Sequence, residues 1–184
     1  MSEVVKMWEE YPEFWKTESA FLSFIRGGIR RHLWSKNPVK LQFMKDNRVK
    51  MVNTNPRSMK AHPTVWGFKC EQCLNTFAGG NCEVDHKAGE HSLKKVGDIQ
   101  KFVEGVVFVR KEDLALLCKP CHKIKTHAER YGLSIQEAKA IKQAIEMNKE
   151  SVKNVVAFLT EHGYNAAKTK EKRREQLVDH FMKE

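Results

Sequence analysis

The chain has 184 residues, with 33 lysines and arginines against 23 aspartates and glutamates, for a formal net charge of +10. That length suits one or two small domains, enough for a core but not for several. The positive balance favours a polyanionic partner such as nucleic acid, with a generic basic protein as the bland alternative, and no apolar run approaches the roughly 18 residues of a membrane span.

Residues 1–18 are acidic and aromatic, with Trp8, Tyr11, Phe14 and Trp15 set among Glu9, Glu10 and Glu13. They are expected to form a strap docked over the core; a partner-binding segment is the alternative. A helix is predicted over 19–34, since Phe21, Ile25 and Ile29 recur at i+4 while Arg26 and Arg30 share another face. Gly27-Gly28 weakens it and is read as a place where another backbone comes close. Asn37-Pro38 starts a second helix, with Leu41 and Met44 inward. Arg26, Arg30, Arg31, Lys36 and Lys40 form a basic cluster, read as a phosphate-contacting face, with a solvated face as the alternative. Residues 53–63, with Pro56 and Pro63, have the composition of a linker.

The centre of the chain carries Cys70-Glu71-Gln72-Cys73 and Cys118-Lys119-Pro120-Cys121. Two C-x-x-C turns supply the four soft ligands of a closed tetrahedral zinc site. No signal peptide is read ahead of them, and cytosolic disulfides are rare. Zinc is therefore expected, with two disulfides or core thiols as the alternatives. The long gap between the pairs implies a folded insert held at its base. Cys82 is left over and reads as a buried, quiet thiol. Within the insert, 82–86 reads weakly as a strand around Val84. Residues 105–110, β-branched and glycine-led, read as a better one, with a polar loop over 87–104 between them. Pro120 suits the first turn of a helix running through His122 to about Arg130. His127 follows His122 by five, about 140° round that helix, so the two are not expected to share a metal.

Beyond this the chain becomes helical. Ser134-Ile135-Gln136-Glu137 is a capping box opening a helix with Ala138, Ile141 and Ile145 on one face. Ser151 opens another, with Val152, Val155, Val156 and Leu159 at helical spacing, and Gly163 is its stop. Residues 165–184 read as a last helix, with Leu177, Val178 and Phe181 inward and 168–174 outward. Two helices joined across His162-Gly163-Tyr164 admit a DNA-reading helix-turn-helix. The alternative is a pair that packs on the rest of the chain or on a second copy.

The ordered set Asp85-His86, then L-x-x-L-C-x-x-C-H-x-x-K-T from Leu114 to Thr126, resembles the HNH endonucleases, the ββα-metal nucleases. It is most similar to the zinc-knuckle HNH proteins of bacteriophages. The resemblance covers residues 66–129, about a third of the chain. It implies that His86 is the general base and that Asp85 and His122 hold a catalytic divalent metal. Asp113 stands where the family usually has asparagine, giving an H-D-H pattern; aspartate can accept the same backbone hydrogen bonds. Phage proteins of this type also carry an arginine-rich helix before the first knuckle, which assigns Arg26, Arg30, Arg31 and Lys36 to DNA. Lys125 is a further phosphate contact or a solvated lysine.

The chemistry is consistent with these residue types. Phosphodiester hydrolysis needs an activated water and a cation to stabilise charge on the phosphate. A neutral histidine can take the water's proton. Aspartate plus imidazole leaves open positions of the kind Mg²⁺ or Mn²⁺ uses. Asp85 and His86 are adjacent, so on a strand they face opposite ways; a twisted or bulged strand end is the expected relief.

The expected fold is α+β, a ββα-metal core stapled by a four-cysteine zinc site and flanked by N-terminal and C-terminal helices. Three regions follow: 1–65 helical and basic, 66–131 the nuclease core, and 132–184 helical. The expected function is metal-dependent DNA endonuclease or nickase, homing or phage-encoded. The alternative is a zinc-stabilised nucleic-acid-binding module that does not cut. Structural Zn²⁺, catalytic Mg²⁺ or Mn²⁺, a DNA partner, no membrane, a homodimer through the C-terminal helices and a cytoplasmic location (the host cytoplasm for a phage protein) complete the expectation.

Overall fold

The structure is a computed structural model, and it describes residues 4–89 and 92–183. Residues 1–3 of the acidic segment, Glu90 and His91 of the expected loop, and Glu184 lie outside the described residues. The chain divides into two compact units, residues 1–119 and 120–184. The expected boundary at 65/66 falls inside a strand (β2, below), and the one at 131/132 falls at the end of a helix in the second unit.

The first unit opens with α1 (Met7–Glu10) and α2 (Glu18–Gly28). Thr17 caps α2, its side chain accepting from the Ala20 N–H at 3.2 Å. Trp8 and Trp15 lie against Phe21, with ring centroids 6.1 and 5.2 Å away, so the aromatic segment is a strap over α2. After Gly28 the helix continues as a π-helical turn, Ile29–Trp34, in which the Ser35 N–H reaches back to the Arg30 carbonyl at 3.0 Å. Such a turn holds one residue more than an α-turn. Leu22 is buried with Leu93, Phe102 and Val106, and Phe21, Ile25, Ile29 and Trp34 pack round them.

Among the described residues no second backbone comes close to Gly27-Gly28. A Cβ on Gly28 would meet nothing within 4 Å, and one on Gly27 only the flexible Arg31 guanidinium at 3.5 Å. Gly67 is the opposite case, since a Cβ there would lie 2.5 Å from both Met51 Sδ and the Phe77 carbonyl oxygen. Gly28→Ala is therefore expected to raise stability by up to about 1 kcal/mol, and Gly67→Ala to lower it by about 1–3 kcal/mol. Thermal melts of the two variants check both signs.

Helix α3 (Pro38–Asp46) starts at Asn37, whose side chain accepts from the Val39 and Lys40 N–H groups and donates to the Val107 carbonyl at 3.0 Å. Its inward residue is Phe43. Leu41, expected inward, is exposed, since it lies about 200° round the helix from Phe43.

Strands β1 (Arg48–Val52), β2 (Thr64–Lys69) and β3 (Thr76–Ala78) form an antiparallel sheet in that order. Residues 53–63 are the ordered loop of the β1–β2 hairpin rather than a linker. Asn53, 4% exposed, organises it. Its amide donates to Ser58 Oγ and the His62 carbonyl, its side-chain oxygen accepts from the Asn55 N–H, and its backbone N–H meets the Pro63 carbonyl.

A second hairpin pairs β4 (Cys82–His86) with β5 (Leu114–Cys118), setting Cys82 opposite Cys118 and His86 opposite Leu114. The strand expected over 105–110 does not form; α4 (Ile99–Val107) occupies its first half and also the end of the expected 87–104 loop. Ile99, Phe102 and Val106 recur at i+3 and i+4 and make a helical stripe, with Phe102 and Val106 buried in the core. Every residue of β5 is buried. A strand covered on both faces shows a continuous apolar run without alternation.

In the second unit, α5 (Lys119–Tyr131), which begins at the boundary, is followed by α6 (Ile135–Met147), α7 (Val152–Glu161) and α8 (Lys170–Lys183). The Ser134 capping box and the Ser151 cap both form. The buried face of α6 is Ala138, Ala140 and Ala144, small residues that let α8 come close, while Ile141 and Ile145 are half-buried. Gln136 bonds the Met182 carbonyl and Asn148 the Lys170 carbonyl, so α6 and α8 run antiparallel in register. Val155, Leu159 and Leu177 complete this core. Val152, grouped with Val155 and Leu159 by its helical spacing, is exposed. Gly163, at φ +82°, stops α7. The last helix begins only at Lys170, and residues 162–169 make a connection much longer than the three or four residues of a helix-turn-helix. Within 168–174, Arg173 is not outward; it is buried and donates to the Ala167 and Lys168 carbonyls. Among the described residues no helix is long and apolar enough to cross a membrane.

Candidate functional site

Cys70, Cys73, Cys118 and Cys121 come together with all four sulfurs within 4.8 Å of one another, and none of the five cysteines is in a disulfide. Cys73 Sγ and Cys118 Sγ are 3.9 Å apart. A tetrahedron of thiolates at the usual zinc–sulfur distance has edges of about 3.8 Å. Donor type and spacing therefore fit a metal such as zinc.

The first knuckle is clamped to β5. The Glu71 N–H donates to the Leu116 carbonyl and the Glu71 carboxylate accepts from the Leu116 N–H, both at 2.8 Å. The turn closes through Leu74, at φ +62°, whose N–H donates to the Cys70 carbonyl. Burial pushes the Cys70 thiol up, but the backbone amides of Cys73, Cys118 and Gln72 and the Cys73 thiol outweigh it and hold Cys70 at about 7. Amide donors at sulfur favour the thiolate a metal needs. Cys82 is the odd one out. Burial and the neighbouring Cys118, Cys70 and Cys73 push it up to about 11, and its thiol donates to the Phe68 carbonyl. It is the quiet thiol expected.

His86 ends β4, half-buried, with its ring stacked on Trp34 at 4.5 Å between centroids and 27° between planes. Lys40 stands over the Trp34 ring at 4.8 Å. Burial lowers the Lys40 ammonium's pKa, with Glu83 opposing. Asp113 lies just before β5, where its carboxylate accepts from the Arg110 N–H at 2.9 Å and its carbonyl accepts from the Lys87 N–H at 2.8 Å. It therefore braces the chain immediately after His86. Asp85 pairs with Ala115 in unbroken register, so no bulge brings it to the His86 face; the two side chains leave the strand on opposite sides. Trp34→Ala is expected to move the His86 imidazole C–H resonances downfield, because the stacked ring's shielding disappears, while the melting temperature falls only modestly. Proton NMR of the variant reads this directly.

The basic cluster separates into parts. Arg26 donates to the Leu93 carbonyl at 2.8 Å, tying α2 to the chain before α4, so it holds the fold as well as carrying charge. Arg30, Arg31 and Lys36 are exposed on and after the π-helical turn, and Arg31 donates to the Gly27 carbonyl. Arg48 and Lys50 stand over exposed Trp66 at 4.4 and 5.6 Å, a basic-aromatic group that the motif left out.

His122 and Lys125 lie on α5, in the second unit. Lys125 is ion-paired with Glu129 at 2.7 Å and its side chain is only 15% exposed. His122 lines an open hollow of about 280 Å³ together with Lys123, Thr126, His127, Arg130 and Lys142. Sequence reasoning did not gather these residues. Trp34 was also missed; its signal is the slip from i+4 spacing at Phe21, Ile25 and Ile29 to i+5 at Trp34.

No protein-family model matches the chain, and no curated protein and no solved structure matches it. Fold and site together define a mixed protein of helices and small antiparallel sheets with a four-cysteine cluster that can hold a metal such as zinc.

Proposed function

We propose that the chain is a metal-dependent endonuclease of the HNH type, hydrolysing phosphodiester bonds in DNA, with structural zinc in the four-cysteine cluster. The observation that carries the reading is the β4–β5 ladder. It fixes Cys82 beside the cluster at one end and His86 at the other, about 13 Å along the strand at 3.3 Å per residue. A metal staple at the base would thus hold the strand that presents the base catalyst.

In this reading His86 takes the proton from water, its ring oriented by Trp34 and the following loop braced by Asp113. Asp85 and His122 would hold Mg²⁺ or Mn²⁺, which supplies charge stabilisation at the phosphate. Base and carboxylate leave opposite faces of the strand end. In-line displacement likewise uses opposite sides of phosphorus, one for the attacking water and one for the leaving oxygen. Exposed Arg30, Arg31 and Lys36 supply cations for the DNA backbone, and the net charge of +10 supports a polyanionic partner.

The test is incubation of supercoiled plasmid with purified protein across divalent metals, with the cut ends sequenced. Nicks or breaks that need Mg²⁺ or Mn²⁺ support the reading. Intact plasmid in every metal, with tight DNA binding retained, would move the assignment to the zinc-stabilised binding module.

A further inference from the structure

Five of the six residues lining the hollow in the second unit, His122, Lys123, Thr126, His127 and Arg130, come from one helix, α5; Lys142 comes from α6. Their spacing along α5, at i, i+1, i+4, i+5 and i+8, makes a continuous stripe. The stripe is about 12 Å long at 1.5 Å per residue. The lining holds three cationic side chains, two imidazoles and a hydroxyl, and no carboxylate. Of the nearby acids, Glu129 pairs with Lys125 and Glu146 with Lys149, both at 2.7 Å, and Glu146 also lies within electrostatic reach of Lys123 and Lys142. Burial, then the charges of Lys142 and Arg130, lower the pKa of His127, which places those cations near its ring. An occupant therefore has to be anionic and rich in acceptor oxygens.

We propose that this hollow grips the sugar-phosphate backbone of a nucleic acid. The inference rests on the nuclease reading for its partner. A volume of about 280 Å³ is too small for a protein segment and large enough for a phosphate with part of its sugar. His122 and Lys123 stand in the first two turns of α5, and Thr126, His127, Arg130 and Lys142 lie farther along α5 and α6. The hollow is also open, as a passing strand requires. Because His122 lines it, a strand held there runs past the residue proposed to carry the catalytic metal.

The test uses the full chain with Arg130→Ala and Lys142→Ala combined, and Arg130→Lys as the charge-keeping control. Arg130 is exposed, so melting and zinc content should be unchanged in the control. Binding of a fluorescent DNA duplex is followed by anisotropy without divalent metal, over a range of salt. Each lost phosphate contact lowers the slope of log K against log salt by about 0.9. The double variant should bind roughly ten- to a hundredfold more weakly, with the slope reduced by about two, and Arg130→Lys should behave like the parent. A parent that binds duplex beside a double variant with the same affinity and slope overturns the site and leaves the nuclease reading standing. A parent that does not bind duplex at all overturns both. Inorganic phosphate is added at matched ionic strength as a separate arm. Displacement of duplex at low millimolar phosphate, beyond the effect of chloride, would make free phosphate the ligand and overturn the backbone assignment.

Discussion

Cys73→Ser is expected to abolish cooperative melting of the first unit and to empty the cluster of metal. Small zinc domains draw about 10–16 kcal/mol of folding free energy from the ion, more than the roughly 5–15 kcal/mol of net stability a typical domain has. The first unit is built so that this applies to it. Its knuckle is clamped to Leu116 of β5, and β5 is the buried partner of β4. Losing one thiolate releases the clamp and leaves buried strand groups unpaired. Native protein should contain about one zinc per chain by elemental analysis, and a strong chelator should reproduce the mutant's loss of ellipticity. Cys82→Ser is the control: it touches no metal and should cost only about 1–3 kcal/mol, for a buried thiol exchanged for a hydroxyl. Native protein devoid of metal, or an unchanged melt in the Cys73 variant, would sink the staple.

The same cluster sets a pH dependence with a definite sign. Cys70 is held at about 7, below the ordinary thiol value of 9.0. A group depressed in the folded state contributes fully above its unfolded value and loses that contribution as pH falls through its folded one. Metal affinity, and the stability it confers, should therefore fall as pH drops from about 9 through about 7.

His86→Ala is expected to lower cleavage by about 10²–10⁴-fold, the usual worth of a positioned general base. DNA affinity, zinc content and melting should stay close to those of the parent. His86 lies at the strand end with its ring over one face of Trp34, and a general base would act on the water rather than on binding. Initial rates of plasmid nicking at saturating enzyme separate the two effects. A variant within a few-fold of the parent rate would move the base elsewhere and leave His86 as a packing partner of Trp34.

Much of this was legible in the residues themselves. The two C-x-x-C pairs announce a four-ligand cluster because the turn geometry is local, and the Ser134 box and Gly163 stop are local for the same reason. The second strand of the hairpin was not legible. Val106 to Val109 carries more β-branched character than Leu114 to Cys118, and only burial on both faces makes β5 the strand. Nor could composition reveal that Asn53 turns a proline-containing stretch into an ordered loop, since that depends on four hydrogen bonds closing at once. Arg26 and Arg173 read as surface charge and are instead bound to carbonyls, because a long side chain's partner lies far along the sequence or behind its own turn. The stack of Trp34 on His86 joins residues more than fifty positions apart, and no periodicity within either segment encodes it.

That stack also depends on the turn from Ile29 to Trp34, which holds a residue more than the α-helix on either side of it would use. Each residue advances an α-helix by about 100°. Removing a single amino acid there would let the turn relax to ordinary winding and swing the indole about a quarter-turn away from the imidazole, without altering any residue in the motif. Chain length in this stretch is thus as much a determinant of the site as chain identity. In comparing related sequences, a one-residue gap before Asn37 is the change to look for first.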